Sequence, residues 1–261
     1  MNIRQSIPLG IKKILRPIIV YRRHRGLLEN DIFLASYPKS GNTWLKFMIS
    51  TLFVDKDIGF DEAEELLPFV GNHTEKRLLP DGRRVIKTHE PYRTEYKKAI
   101  YIVRDGRDVA ISYFHHHKRE GTFAGNLEEF VDAFLKGNVD GLPAWHKHVM
   151  GWLDHHEDSD ILVVKYEDCL MSPTAVIKKI LNFMEISVEH EKIEHAVAAN
   201  TKDKMREKEK ISKTALGVYD EKNHFVRKGK NGEWKEVFDD RLNEIFIQEA
   251  GEALRLLGYE V

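Results

Sequence analysis

Cysteine is almost absent from this 261-residue sequence, in which Cys169 is the single example. One thiol excludes an internal disulfide framework and any zinc site built from several cysteines. A chain of this kind suits a reducing compartment, and we therefore expect a cytoplasmic protein.

Long hydrophobic runs are also missing, because no stretch approaches the roughly 20 apolar residues that span a bilayer. The run from Ile18 to Tyr21 is far too short, and basic residues follow it without the apolar segment of a secretory signal. Internal repeats and low-complexity linkers are not found either. With 42% hydrophobic residues and a net charge of -1, the chain is expected to fold as one globular, enzyme-sized domain over residues 31–261.

Charge is unevenly distributed, because residues 1–30 form a basic arm. This arm contains seven Lys or Arg and one acid, Glu29, a balance of about +6. It could make weak contact with an anionic membrane surface or steer an acidic ligand. The alternative is a solvated, partly helical lead-in that packs on the main domain.

Short apolar runs alternate with helix-period segments along the chain. The runs are Ile32 to Ala35, Val85 to Ile86, Ala99 to Val103 and Ile161 to Val164, and the helices are expected at 42–54, 107–118, 127–136, 143–156, 173–184 and 240–256. This alternation predicts an α/β fold of three layers, with a central parallel sheet between helices. Residues 59–82 and 202–224 are predicted to be functional loops, the second of them either a lid or a solvated charged segment.

The segment YPKSGNTW, starting at Tyr37, stands between a strand-like run and a helix-like run. A turn at that place presents backbone N–H groups to a phosphate-like anion, although it can also be an ordinary connection. The nucleoside-triphosphate loop G-x-x-x-x-G-K-[ST] would end in Lys and a magnesium-binding hydroxyl. Here Lys39 comes first and only Gly41 follows.

Three further segments offer groups that can bind anions or move protons. In RRVIKTHEPY, Lys87 and His89 follow a short strand, where a His can act as a base or be a plain surface residue. In VRDGRDVAISY, Arg104 can bind a terminal phosphate or pair with Asp108. In RKGKNG, Gly229 allows close approach to an anion between cations.

Three consecutive histidines, His115 to His117, suggest a metal at first sight. Neighbouring residues of a helix point in different directions, so these rings are not expected to share one ion. No metal site is predicted.

Taken in order, YPKSGNTW, IKTHEPY, VRDGRDVAISY and RKGKNGEWK resemble the sulfotransferases that use 3′-phosphoadenosine 5′-phosphosulfate (PAPS), and VVKYEDC resembles that family's Tyr-Glu-Asp strand. The resemblance covers about residues 31 to 238. It implies a three-layer α/β fold like that of the P-loop NTPases, sulfuryl transfer without a metal, and adenosine 3′,5′-bisphosphate (PAP) as the product.

The resemblance also implies a role for each matching residue. Those around the 5′-phosphosulfate and adenine are Lys39, Ser40, Gly41, Asn42, Thr43, Trp44 and Tyr166. Those around the 3′-phosphate are Arg104, Ser112, Arg227, Lys228 and Gly229. His89 matches the catalytic histidine, assisted by Lys39 and Lys87. Two departures stand out, because Asn42 replaces a commoner Thr and Lys202 occupies the place of a frequent aromatic adenine partner.

The expected reaction moves a sulfuryl group from PAPS to an acceptor hydroxyl, or less readily to an amine. The acceptor is expected to be a small molecule, a glycan or a lipid, and nucleic acid is not expected as a partner. Acceptor-site walls are predicted in 59–82, 121–145 and 202–226, with the side chains Phe60, Leu66, Leu67, Phe69, His73, Phe123 and Trp145.

Two other functions stay open on the sequence. A P-loop kinase or NTPase would need magnesium ligands, for which Glu167 and Asp168 are available. A non-catalytic protein would bind the nucleotide without transfer.

Overall fold

A parallel sheet forms the centre of the computed structural model, which describes residues 18–54, 56–73, 75–155, 160–212, 224–227 and 229–261. In that part of the chain the strands are β1 (Ile32–Ser36), β2 (Val85–Thr88), β3 (Lys98–Val103) and β4 (Asp160–Lys165). Their order is β2-β1-β3-β4, and every pairing is parallel. The predicted parallel sheet is thus confirmed.

Strand β1 shows why the chain forms three layers. All of its residues are buried, as expected for a central parallel strand covered on both faces. Ile32 and Leu34 belong to one hydrophobic core, whereas Phe33 and Ala35 belong to the other. Since successive side chains of a strand point to opposite faces, one apolar strand supplies both cores.

Helices cover the two faces of the sheet. They are α1 (Asn42–Val54), α2 (Phe60–Leu66), α3 (Gly106–Arg119), α4 (Leu127–Leu135), α5 (Trp145–Leu153), α6 (Tyr166–Met171), α7 (Pro173–Met184), α8 (His190–Ala198), α9 (Lys202–Ile211), α10 (Trp234–Val237) and α11 (Asp240–Leu256). The six predicted helices are all present. The one expected at 143–156 is shorter, because the backbone at Ala144 is extended (φ −53°, ψ 148°) and α5 begins only at Trp145.

The two predicted functional loops are partly helical, so that prediction was wrong in part. In 59–82, α2 buries Phe60, Ala63 and Leu66, a three-residue spacing that the many acids obscured. In 202–224, α9 buries Met205 together with the charged Lys208 and Glu209, so its inner face has no apolar stripe to detect. Residues 213–223 lie outside the described part of the chain.

The end of the basic arm packs on the main domain. Residues 18–24 are helical, and Arg23 donates hydrogen bonds to Glu90 (2.8 Å) and to the Val70 carbonyl (3.0 Å). For these residues the packed alternative is correct, whereas Arg4, Lys12, Lys13 and Arg16 lie outside the described residues. Membrane contact by the arm stays a prediction. Among the described helices, none combines the length and apolar character needed to cross a bilayer.

Candidate active site

The turn from β1 to α1 has the backbone shape of an anion cradle. Lys39 and Gly41 both have positive φ angles, 69° and 95°. A Cβ atom on Gly41 would lie 2.4 Å from Cδ2 of Tyr166, so only glycine fits beside that ring. Successive N–H groups in such a turn, leading into a helix N-terminus, bind phosphate-like groups.

In the same turn, Ser40 supplies a hydroxyl group and Asn42 ties the turn to β1. The Ser40 hydroxyl is buried and has no hydrogen-bond partner among the described residues. Asn42 donates to the Leu34 carbonyl (3.0 Å) and to Ser36 Oγ (3.1 Å), which ties the turn to β1. A buried donor without a partner is costly, so Ser40 suits a ligand oxygen placed in the cradle.

His89 follows β2 and is held as a neutral base. Its Nδ1 lies 2.8 Å from the Ser36 carbonyl, which can only accept, so Nδ1 carries the proton. The Nε2 atom is therefore left as an acceptor. Removal from water and the nearby charge of Lys87 lower the pKa of His89 well below 6.5. The ring is thus unprotonated at neutral pH.

Burial and neighbouring positive charges lower the pKa of both Lys39 and Lys87. Removal from water and then the charge of Arg119 lower the pKa of Lys39 to about 7. Removal from water and the charge of Lys46 lower the pKa of Lys87 to about 7 as well. Lys87 Nζ lies 3.5 Å from Thr43 Oγ1, which brings β2 to the opening turn. An anion bound here would raise the pKa of both lysines again.

Arg104, at the end of β3, joins the separate pieces of the site. Its guanidinium lies 4.7 Å from the centre of the Tyr166 ring and donates to the carbonyls of Lys39 (3.2 Å) and Lys230 (3.0 Å). The ion pair with Asp108 is also present, at 3.6 Å. Its Nε atom is buried without a partner in the described residues, so one donor stays available to a ligand.

Carboxylates on α9 and α3 hold the late loop at 224–232 through hydrogen bonds. Glu209 accepts from the backbone N–H groups of Phe225 (2.5 Å) and Val226 (3.0 Å). Asp108 accepts from Gly232 (2.7 Å) and from Trp234. Sequence reasoning missed Glu209, since alternating Lys and Glu gave no signal of a buried acid.

Within that loop, Arg227 forms an ion pair with the buried Glu233, although its Nε finds no partner in the described segments. Gly229 has a positive φ of 56°. Lys228 lies outside the described residues.

A cavity of about 320 Å³ brings these segments together. Predicted site residues that line it are Lys39, Gly41, Asn42, Thr43, Trp44, His89, Arg104, Ser112, Tyr166, Arg227 and Gly229. Ser40 and Lys87 are not among the lining residues. The other lining residues are Leu170, Pro173, Val197, Thr201, Lys202, Met205, Phe225 and Val226, which are mostly apolar.

One end of the cavity has the character of a base-binding pocket. Trp44 donates from Nε1 to the Asn200 carbonyl (2.6 Å), which fixes the indole. The Tyr166 ring stands edge-on to Trp44 at 6.1 Å. Lys202, at the place of the frequent aromatic partner, lies near Gly229, whose added Cβ would be 3.4 Å from Lys202 Cδ.

Several predicted acceptor-wall residues belong to the cores, so that part of the prediction was wrong. Phe60, Leu66, Leu67 and Trp145 are buried in the two hydrophobic cores. Their apolar character served packing, and sequence could not separate the two uses. His73 instead binds the arm, 2.9 Å from the Arg25 carbonyl.

Phe123 also packs into an aromatic group, with Phe130 at 5.1 Å. Phe69, by contrast, does lie beside His89, with ring centres 5.7 Å apart.

Glu167 and Asp168, the candidate magnesium ligands of the kinase alternative, do not line the cavity. Glu167 accepts from the Asp105 N–H (3.1 Å) and the Tyr259 hydroxyl (2.8 Å), whereas Asp168 is exposed. Of the three histidines, His115 is exposed, whereas the rings of His116 and His117 are neighbours, with centres 5.7 Å apart.

Comparison with known proteins agrees with this geometry. The sulfotransferase domain family matches residues 29–258. Bovine sulfotransferase 1A1 is 30% identical over 251 residues, covering 88% of this chain and 84% of the relative. Rabbit amine sulfotransferase is 29% identical over 246 residues, covering 85% and 81%.

Among solved structures, mouse sulfotransferase SULT7A1 in complex with PAP has a TM-score of 0.71 at 26% identity, covering 92% of this chain and 89% of that one. The chain therefore belongs to the sulfotransferase family, which confirms the PAPS-dependent sulfotransferase predicted from its sequence motifs.

Proposed function

We propose that this chain transfers the sulfuryl group of PAPS to the hydroxyl of a small-molecule acceptor, with His89 as general base. The observation that carries the proposal is a neutral imidazole at a cavity that several cations also line. His89 has an unprotonated Nε2 there, while Lys39, Arg104 and Arg227 line the same space. A base beside an anion-binding site is what transfer from an anionic donor requires.

The arrangement offers candidate partners for each part of the donor. The turn around Gly41, with the buried Ser40 hydroxyl, suits the 5′-phosphosulfate. Ser112, Arg104 and Arg227 would bind the 3′-phosphate. Each of the two arginines has a buried Nε without a partner in the described residues. Lys228 is proposed as a further ligand. Trp44 and Tyr166 would bind the adenine.

In the transfer step, His89 Nε2 takes the proton of the acceptor hydroxyl as the new O–S bond forms. The bond between sulfur and the bridging oxygen breaks at the same time, and PAP leaves with that oxygen. Lys39 stabilises the negative charge that develops on the leaving oxygen. Lys87, which lies beside Thr43, adds a second positive charge near the transferred group.

An amine acceptor is the second candidate. The observation in its favour is the similarity to rabbit amine sulfotransferase. A neutral His89 could take a proton from nitrogen as well as from oxygen, so the base itself does not separate the two acceptors.

The donor assignment can be tested with two nucleotides that differ only in the 3′-phosphate. Hydrogen bonds to a charged group contribute roughly 1.5–3 kcal/mol each. We therefore expect PAPS to bind at least about a hundredfold more tightly than adenosine 5′-phosphosulfate. Arg104→Ala should reduce this preference, whereas Arg241→Ala, an exposed cation on α11, should not.

Equal binding of both nucleotides to the unmodified protein would contradict the proposed donor site. Mass spectrometry of an acceptor screen with labelled PAPS would then identify hydroxyl or amine products. Binding of PAPS without any labelled product would favour the non-catalytic alternative.

A further inference from the structure

A further cation, Arg119, lies near Lys39, although it is not among the residues that line the cavity. Arg119 is the last residue of α3, and its guanidinium lies 5.4 Å from the centre of the Phe225 ring. Lys39 Nζ lies 4.5 Å from the same ring centre. Phe225 lines the cavity. Arg119 and Lys39 therefore share one aromatic neighbour at the site of transfer.

Arg119 is partly buried and incompletely paired. Its side chain is 15% exposed, and its Nε and Nη2 atoms both donate to the single Oε1 atom of Glu120, at 3.0 and 2.7 Å. Within the described part of the chain, Nη1 makes no hydrogen bond. Glu120 is 45% exposed, and an ion pair to such a solvated carboxylate is weak. A ligand carboxylate can replace it at little cost.

His116 completes the polar group without adding charge. Its Nδ1 accepts a hydrogen bond from Arg119 Nη2 at 3.2 Å, since a guanidinium can only donate. Removal from water and the charge of Lys39 lower the pKa of His116 to about 4. The ring is neutral at physiological pH and has its Nε2–H as a donor. The cluster of Arg119 and His116 thus offers donors only.

The donor nucleotide does not require this cluster. Its proposed ligands come from the opening turn, the end of β3, Ser112 and the late loop. Arg119 lies two turns after Ser112 on α3. Even so, its charge acts on Lys39 more strongly than that of Arg104 or Arg227. Arg119 is therefore close to the reacting group but outside the proposed donor contacts.

We propose that Arg119 and His116 bind a carboxylate on the acceptor, so that the preferred acceptor is a hydroxy acid whose apolar body packs against Phe69 and Phe225. This proposal rests on the proposed function for the position of the transferred group. Arg forms paired hydrogen bonds with a carboxylate, and the edge formed by Nε and Nη2 would offer them once the ligand displaces Glu120. Phe69 lies beside His89, so the two aromatic rings would flank an acceptor reaching from the base to Arg119.

The test compares 4-hydroxyphenylacetate with 4-hydroxyphenylacetamide, which differ in charge but hardly in shape. Each is titrated calorimetrically into PAP-saturated protein. The unmodified protein should bind the acid at least about tenfold more tightly than the amide, the scale of one charged hydrogen bond. Arg119→Gln should abolish this preference and leave amide affinity unchanged.

Two matched variants on the same helix end sharpen the test. Glu120→Gln removes the competing carboxylate and should increase the preference for the acid. Lys118→Gln removes an adjacent, exposed positive charge that hydrogen-bonds the Ala124 carbonyl, and it should change nothing. Opposite responses at 119 and 120 cannot come from general loss of folding.

The proposal is overturned if the unmodified protein binds acid and amide equally, if it binds no acid at millimolar concentration, or if Arg119→Gln retains the preference. It is also overturned if Arg119→Gln weakens PAP as much as the acid, since Arg119 would then belong to the donor site. The same titrations without PAP separate the two proposals. A protein that discriminates the acid through Arg119 but does not bind PAP would contradict only the proposed donor.

Discussion

At the scale of single residues, burial decides which protonation state is available for chemistry. His89 shows this most clearly, because desolvation disfavours its charged form and keeps the ring neutral, as the proposed base requires. The Ser36 carbonyl fixes the proton on Nδ1 and leaves Nε2 without a proton. Neither effect can be predicted from the segment IKTHEPY alone.

Replacement of His89 by Ala should lower kcat by about 10² to 10⁴, the usual contribution of a general base. PAP affinity should stay within a few-fold in calorimetry, since the base does not contact the nucleotide in the proposed reaction. His195→Ala, at an exposed position on α8, is the control. Turnover that survives in His89→Ala would remove His89 from the mechanism.

The pH profile gives a second measurement on the same residue. A base with a pKa well below 6.5 is already unprotonated at pH 6.5, so kcat should not fall as the pH is lowered from 8 to that value. A decline centred on pH 6.5 would instead indicate a histidine with an ordinary pKa.

At the scale of elements, the site is built where all four described strands end. The opening turn follows β1, His89 follows β2, Arg104 follows β3 and Tyr166 follows β4. Parallel strands bring their carboxyl ends to one edge, which is why segments far apart in sequence meet there. The late loop has no strand of its own and depends on α9 and α3 for its position.

Glu209→Gln should therefore weaken nucleotide binding although Glu209 does not line the cavity. The carboxylate accepts from two backbone N–H groups just before Arg227. Loss of these charge-assisted bonds should raise KM for PAPS by about tenfold or more. The preference for PAPS over adenosine 5′-phosphosulfate should shrink too, which a general loss of stability would not cause.

The matched control is Glu207→Gln on the same helix, where the carboxylate is exposed and pairs with Lys204. It should keep the nucleotide preference of the unmodified protein. If Glu209→Gln behaves like Glu207→Gln, α9 does not position the late loop.

At the scale of the whole molecule, the net charge of -1 conceals a strongly positive site. Lys39, Lys87, Arg104, Arg119 and Arg227 converge at or beside one cavity. Removal from water and then repulsion by the three arginines lower the pKa of Lys39. Binding of an anion should reverse this shift, because the negative ligand favours the charged lysine.

PAP binding at pH 8 should accordingly be coupled to proton uptake. Lysines with a pKa of about 7 are mostly neutral at that pH, and the ligand should raise their pKa and protonate them. Phosphate groups with a second pKa near 6 contribute little there. Calorimetry in buffers of different ionisation enthalpy measures the uptake.

Lys39→Met should reduce the number of protons taken up and weaken PAP. At pH 5.5 the lysines are already charged, so their share of the uptake should vanish. An unchanged proton count in Lys39→Met would mean that Lys39 does not contact the nucleotide.

The sequence alone determined the fold class, six of the helices, the family and many of the residues that line the cavity. Local patterns suffice for these, because the positive φ of the opening turn favours glycine at Gly41 and buried parallel strands need continuous apolar runs. The cytoplasmic location, the domain boundary at residue 31 and the membrane contact of the arm stay predictions from sequence.

Only the tertiary structure decided which polar and aromatic side chains serve the site. Trp145 and Phe60 looked like acceptor walls but fill the cores, whereas Glu209, in a segment that could have been merely solvated, holds the late loop. The physical reason is that burial and pairing depend on contacts between residues far apart in sequence. Phe225 meets Lys39 and Arg119 only after three segments have folded together.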